Sequence, residues 1–223
     1  NNHMFDTPLL LAKNEGLTFD QRLAKRVLDL VVSIIALVIT SPVMLVIAIA
    51  IKAYDGGPVF FVQDRCTING KVFKIHKFRS MIENAEKDGE VIPATDDDAR
   101  ITPVGKIIRK TRLDELPQFF DILIGNMSVV GPRPERVEHV EKYVEEVPEF
   151  TYRMKVKGGL TGYAQIYGKY NTSAYDKLKL DLMYIQNYSI LLDLRLILMT
   201  VKIMFIKDST EGFEEIKPSE KKD

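Results

Sequence analysis

The apolar positions of the chain are unevenly distributed. Residues 30–51 run LVVSIIALVITSPVMLVIAIAI, 22 positions without one charge. A run of that length normally marks a transmembrane helix. Two features complicate this. Ser41-Pro42 falls near the middle, where proline removes a backbone donor and clashes with the preceding turn, at about 3 kcal/mol in an ordinary helix. Basic residues flank both ends, with Arg22, Lys25 and Arg26 before and Lys52 after, so charge favours neither crossing direction. The arms of 11 and 9 residues reach only about half the hydrocarbon thickness at about 1.5 Å per residue. A helix–break–helix that enters and returns fits, as does a spanning helix; a buried soluble helix fits less well. In a re-entrant helix the carbonyl freed at Pro42 needs the Ser41 hydroxyl or neighbouring protein as a partner.

Beyond Gly56-Gly57-Pro58 the pattern changes. Residues 59–65 and 71–79 read as strands of a small hairpin turned at Asn69-Gly70. Period two places Phe73, Ile75, Lys77 and Arg79 on one face. Residues 80–87 read as a short helix and residues 88–100 as a polar loop. Thr102-Pro103 reads as an N-cap with proline behind it, opening a helix to about Arg112. On it Lys106, Arg109 and Arg112 form one cationic stripe. Residues 116–124 form a second short helix. Residues 125–135 and 158–162 read as loops, and residues 137–146 as a charged helix. Residues 174–188 and 191–206 are helical, the last interfacial or packed because Asp193, Arg195 and Lys202 interrupt it. The tail after Lys207 is charged.

Composition narrows the function classes. The 223 residues carry 31 basic and 31 acidic side chains, which disfavours nucleic acid as a partner. With 46% hydrophobic residues the chain supports a sizeable core. The single cysteine, Cys66, excludes an internal disulfide and a Cys-rich zinc site. His3, His76 and His139 lack ligand spacing. Residues 1–4 read as an expression scar and residues 5–20 as peripheral.

The densest chemical cluster is Arg109-Lys110-Thr111-Arg112-Leu113-Asp114-Glu115-Leu116-Pro117-Gln118. Adjacent carboxylates commonly mark a solvated helix start. Here Pro117 confines Asp114 and Glu115 to a helix N-terminus, where the macrodipole favours the ionised form. An ionised Asp is a competent nucleophile toward phosphorus. Arg109 and Arg112 suit phosphate oxygens, and Glu115 suits Mg²⁺ shared with substrate phosphates. Gly131-Pro132-Arg133-Pro134 is a rigid loop presenting Arg133, and Lys77 with Arg79 suits a diphosphate. Asp96-Asp97-Asp98 is a weak metal signal. No dinucleotide or P-loop signature is present.

Taken in order, KRVLDL (25–30), Ser41-Pro42, KFRSM (77–81), DARIT (98–102), LDELPQ (113–118), NMSVVGPRPE (126–135) and GLTGYAQIYGKYN (159–171) form a specific set. With it the chain resembles the monotopic polyprenyl-phosphate phosphoglycosyltransferases, or bacterial sugar transferases, over residues 22–207. The resemblance implies transfer of a sugar 1-phosphate from a UDP-sugar to undecaprenyl phosphate with release of UMP. It implies Asp114 as nucleophile, Glu115 as a Mg²⁺ ligand, Arg133 near the nucleotide, and a re-entrant helix broken at Ser41-Pro42. Asp121, Asn126 and Gly158 depart from the usual Asn, acidic residue and Pro. Longer members carry further membrane helices and a domain ahead of this part, so the chain reads as a catalytic fragment.

The expected fold is a helix-rich α+β single domain with a re-entrant anchor at about residues 27–53 and a small β-hairpin. Its expected place is the cytoplasmic face of the bacterial inner membrane, with a second copy as a candidate partner. A membrane-bound hydrolase using the same Asp and a non-enzymatic assembly scaffold are the rival readings.

Overall fold

In the computed structural model, residues 16–83, 85, 98–168 and 173–204 are described. The expected N-terminal scar, most of the linker, Asp96, Asp97 and the charged tail lie outside them.

The apolar run lies in one helix, α1 (Phe19–Asp55). Thr18 caps it: its hydroxyl accepts from Gln21 N at 3.4 Å, and the Gln21 side chain accepts from Thr18 N at 3.0 Å. Gly56, at φ 72°, ends it and donates its N–H to Lys52 O. The expected break is not a gap in helical structure, because α1 continues through Pro42. The local chemistry shows how proline is accommodated. Without its N–H, Pro42 frees the carbonyl of Val38 four residues back. The Ser41 hydroxyl donates to that same oxygen at 2.9 Å. Thr40 Oγ1 adds a bond to Ala36 O at 2.7 Å.

Both ends of α1 are fastened to one folded body. Near the start, Lys25 Nζ meets Asp193 Oδ2 at 2.7 Å and the Tyr184 hydroxyl at 2.9 Å. Arg26 donates to Ile122 O and Leu123 O, carbonyls at a helix end that favour a cation. Asp29 accepts from Ser128 Oγ and Val129 N. Near the end, Met44, Ile47 and Ile51 are buried with Phe78, Ile108 and Leu116. Asp55 is paired with Arg79. Between these ends Val38 and Ile39 are each 70% exposed.

Strands β1 (Phe60–Cys66) and β2 (Val72–Phe78) pair antiparallel, Phe60 opposite Phe78 and Cys66 opposite Val72. The turn holds Asn69 at φ 56° and Gly70 at φ 71°, as an Asn-Gly turn requires. β2 separates two apolar clusters. Phe73 and Ile75 join the main core around Ile122, Met127, Val130, Phe150, Leu178 and Leu196, while Phe78 joins the α1 cluster.

The expected helix at residues 80–87 does not begin as one: Met81 bridges Ile101 instead. Helix α2 (Pro103–Lys110) starts on Thr102 as expected, its hydroxyl accepting from Gly105 N. A 3₁₀ turn (Leu113–Glu115) and α3 (Gln118–Ile124) follow.

The loops expected at 125–135 and 158–162 contain short strands β3 (Ser128–Val130) and β4 (Gly159–Thr161), paired in parallel. A side chain at Gly159 would come within 2.1 Å of Gly131 N, so only glycine allows this approach. Helix α4 (Val137–Glu146) packs Val140 inward. Then come α5 (Tyr163–Tyr167), α6 (Ala174–Gln186) and α7 (Ile190–Met204). α7 buries Asp193 and Leu196 and exposes Leu191, Leu194, Leu198 and Val201, a stripe at helical spacing.

The Lys25–Asp193 pair carries a direct test. Removing one partner leaves a buried charge uncompensated, which costs about 3–5 kcal/mol. Asp193→Ala should therefore lower the thermal midpoint of the detergent-solubilised protein sharply. Replacing both, as Lys25→Met with Asp193→Leu, should recover most of the loss. A double variant as unstable as the single one contradicts this.

Candidate active site

The centre of the site is Glu115, in the 3₁₀ turn ahead of α3. Its Oε1 accepts from Lys77 Nζ at 2.7 Å and from Arg133 NH2 at 2.7 Å. One oxygen thus joins three elements: β2, the 3₁₀ turn and the Pro-Arg-Pro loop. Burial alone pushes the Glu115 carboxyl up, but Arg133 and then Lys77 outweigh it and hold it well below the ordinary range. The Glu115 charge likewise raises the Arg133 guanidinium against the effect of burial. Burial lowers the Lys77 ammonium, with Glu115 opposing.

Asp114, the residue before it, differs. No hydrogen bond reaches its carboxylate among the described residues. Burial raises its pKa above the ordinary aspartate range; Lys77 lowers it, and Glu115 raises it further. The two carboxylates are thus pushed apart, one locked as an anion and one less tightly held.

The Arg133 loop is held from behind. Arg153 NH2 donates to Arg133 O at 2.8 Å, and its Nε pairs with buried Asp181 at 2.8 Å. Arg65 donates to Pro134 O, and Gly159 N to Pro132 O. Gly158 leaves room for Pro134, whose Cγ would lie 2.5 Å from an added Cβ. On the other side, Asp121 accepts from His76 N at 2.9 Å and faces His76 Nδ1 at 2.8 Å, tying β2 to α3 one residue before Lys77.

Several sequence expectations are corrected. Asp114 and Glu115 lie in a 3₁₀ turn, not in the first turn of a helix; Pro117 is the N-cap of α3. Arg112 has left-handed backbone, φ 55°, after α2 has ended, so the stripe of Lys106, Arg109 and Arg112 is not continuous. Arg109 is exposed on α2, and its charge acts on Asp114. Arg79 does not join Lys77. It binds the Asp55 carboxylate with both guanidinium ends and donates to Pro58 O, so it fastens the end of α1. Asp98 is bound by Arg100.

Arg153, Asp181, His76 and the Lys25–Asp193 pair are supports that the sequence reading did not assign. Asp121 and Gly158 carried a signal as departures from the family pattern, and Lys25 as part of the KRVLDL motif.

For Mg²⁺, the described residues contain no group of three or more His, Cys, Asp or Glu side chains able to cage a metal. Two carboxylates lie together. Both contacts to Glu115 fall on Oε1, and Asp114 is unbonded. That donor set suits a cation sharing its coordination with substrate phosphates.

The bacterial sugar transferase model matches residues 20–207. Against a UDP-glucose:undecaprenyl-phosphate glucose-1-phosphate transferase of Klebsiella pneumoniae the chain is 46% identical over 211 residues, 92% of this chain and 43% of that protein. A UDP-N-acetylgalactosamine-undecaprenyl-phosphate N-acetylgalactosaminephosphotransferase of Aeromonas hydrophila is 43% identical over 80% of this chain and 43% of its own length. An uncharacterized sugar transferase of Bacillus subtilis is 37% identical over 84% of this chain and 90% of its own length. The chain belongs to the bacterial sugar transferase family. It spans less than half the length of the first two relatives.

A carboxyl NMR titration tests the electrostatics. Asp114 should take up its proton above the ordinary aspartate range and Glu115 only well below the ordinary glutamate range. The stabilising charge on Glu115 is thus present above its unfolded value and is lost only as pH falls through the depressed folded one. Lys77→Met should move both titrations upward, since Lys77 lowers both. A Glu115 titration that stays in place contradicts the Lys77 contact.

Proposed function

We propose that the chain is a polyprenyl-phosphate hexose-1-phosphate transferase, working in the two steps its carboxylates suit. An Asp114 oxygen attacks the β-phosphorus of a UDP-sugar. The bond to the α-phosphate oxygen breaks, and UMP leaves with the electron pair. A phosphate oxygen of undecaprenyl phosphate then attacks the phosphorus. The bond to Asp114 breaks, the carboxylate is regenerated, and the product is a lipid diphosphate sugar. The single observation carrying this reading is the contrast between an unbonded Asp114 and a Glu115 fixed by two cations.

Each group has a task. Lys77 and Arg133 bring positive charge to the site where the diphosphate oxygens gain negative charge. Glu115 keeps both cations beside Asp114. Arg109, exposed on α2, is available to the nucleotide phosphates, and Arg112, also exposed, flanks the turn. Mg²⁺ held by Glu115 and Asp114 with the substrate phosphates would neutralise charge on the diphosphate and the leaving group. The relatives' names give glucose in one case and N-acetylgalactosamine in another, so the sugar is a second-level choice within one reaction.

The acceptor is a lipid, which demands a site at a membrane surface. We propose that α1 enters and leaves the cytoplasmic face of the bacterial inner membrane. The support is that both its ends are tied to one folded body through Lys25, Arg26 and Asp55, while Val38 and Ile39 between them are exposed. Ser41-Pro42 sits at that exposed middle. The exposed apolar stripe of α7 would lie along the same surface.

Two measurements test these readings. Mixing the protein with UDP-sugars and Mg²⁺, without lipid, should give a phosphosugar adduct by intact mass, located on Asp114. Asp114→Asn should abolish adduct and turnover, and full turnover by that variant would sink the proposal. For topology, single cysteines at Phe19 and Tyr54 in a Cys66→Ser background should both react only from the cytoplasmic side. Labelling of either from outside would show a crossing helix.

A further inference from the structure

A cavity of about 490 Å³ lies at the start of α1, and neither Asp114 nor Glu115 lines it. Arg22, Lys25, Arg26 and Asp29 face it at helical spacing from α1, and Lys155, the last residue of the Pro148–Lys155 3₁₀ segment, and Lys157 just after it close the cavity. Five cations thus face one carboxylate. That carboxylate is already engaged, since Asp29 accepts from Ser128 and Val129. Lys25 and Arg26 are partly satisfied by Asp193 and by the Ile122 and Leu123 carbonyls. Lys157 is not: it is half-buried and makes no hydrogen bond or ion pair among the described residues. Burial and the charge of Arg26 lower its ammonium, Lys71 and Lys25 add to this, and Asp29 opposes it. Arg22 is exposed at the rim. A gathering of like charges that includes a half-buried, unpaired Lys157 is held at a cost that a bound anion would offset.

The geometry points to this cavity as a binding site for a phosphate group, separate from the Asp114–Glu115 site. Two sources share that chemistry: the headgroup of an anionic membrane lipid and a soluble phosphate. The lipid source rests on the proposed membrane placement of α1, whose apolar run begins one turn beyond Arg26. Leu17 and Val156 give the cavity an apolar lining that a glycerol backbone would contact.

The test reads the reactivity of the Lys157 amine toward reductive methylation, by peptide mass spectrometry, on the whole chain. Three arms are compared: phosphatidylcholine vesicles, the same vesicles with phosphatidylglycerol, and detergent with inorganic phosphate. The expected result is protection of Lys157 by phosphatidylglycerol with exposed Lys142 on α4 unchanged. Arg22→Ala should weaken the added binding to anionic vesicles about fivefold, as expected for one basic side chain at a negative surface. Equal protection by inorganic phosphate in detergent supports the phosphate site and assigns its source as soluble. Equal reactivity of Lys157 in all three arms overturns the proposal. Failure to bind even phosphatidylcholine vesicles would instead refute the membrane placement, and the phosphate arm would still judge the cavity.

Discussion

The shared acceptor at Glu115 is the contact on which the site depends. Lys77 comes from a hairpin strand, Arg133 from a Pro-rich loop more than fifty residues later, and both donate to one oxygen. Neither cation would sit at Asp114 without it, because burial weakens a Lys and mutual repulsion separates two cations. The same contact explains why adjacent carboxylates behave differently. Glu115 is tied to two cations, and Asp114 is left without a hydrogen bond among the described residues. Each arm of the arrangement is braced: β2 by Asp121 gripping His76, and the Arg133 loop by Arg153 and Asp181.

A second constraint is the fastening of α1. A helix of 37 residues is about 55 Å long at about 1.5 Å per residue if straight, far more than a bilayer needs. Length alone therefore says nothing about topology. The ties at its ends say more. Lys25, Arg26 and Asp29 at one end and Ile47, Ile51 and Asp55 at the other all join the body that carries the site. A proline whose freed carbonyl is taken by the preceding serine allows the exposed middle to remain helical.

Much of this was legible in the sequence for identifiable reasons. The hairpin announced itself through Asn69-Gly70, and α2 through Thr102-Pro103. The need for a partner at the Pro42 gap follows from backbone hydrogen bonding, and of the two candidates, Ser41 and neighbouring protein, Ser41 supplies it. The Asp114–Glu115 cluster stands out because charges and prolines coincide there. What failed was local periodicity beyond its range. β3 and β4, three residues each, are too short to show a period, and their pairing rests on glycines at 131 and 159. Lys77 and Arg79 share a strand face by period two, yet Asp55 draws Arg79 to the end of α1. Arg112 fits the helical spacing of the cationic stripe, yet the helix ends at Lys110. Asp193 reads as an interruption of an apolar helix and Asp181 gives no signal, because their partners Lys25 and Arg153 are remote in sequence.

The central claim is that the sugar phosphate passes through Asp114 rather than directly to the lipid. The stereochemical course at phosphorus decides it. A UDP-sugar carrying sulfur at the β-phosphorus as a single diastereomer would be turned over with undecaprenyl phosphate, and the product configuration read by phosphorus NMR. Two in-line displacements should give net retention. Net inversion would mean a single direct transfer and would contradict the account.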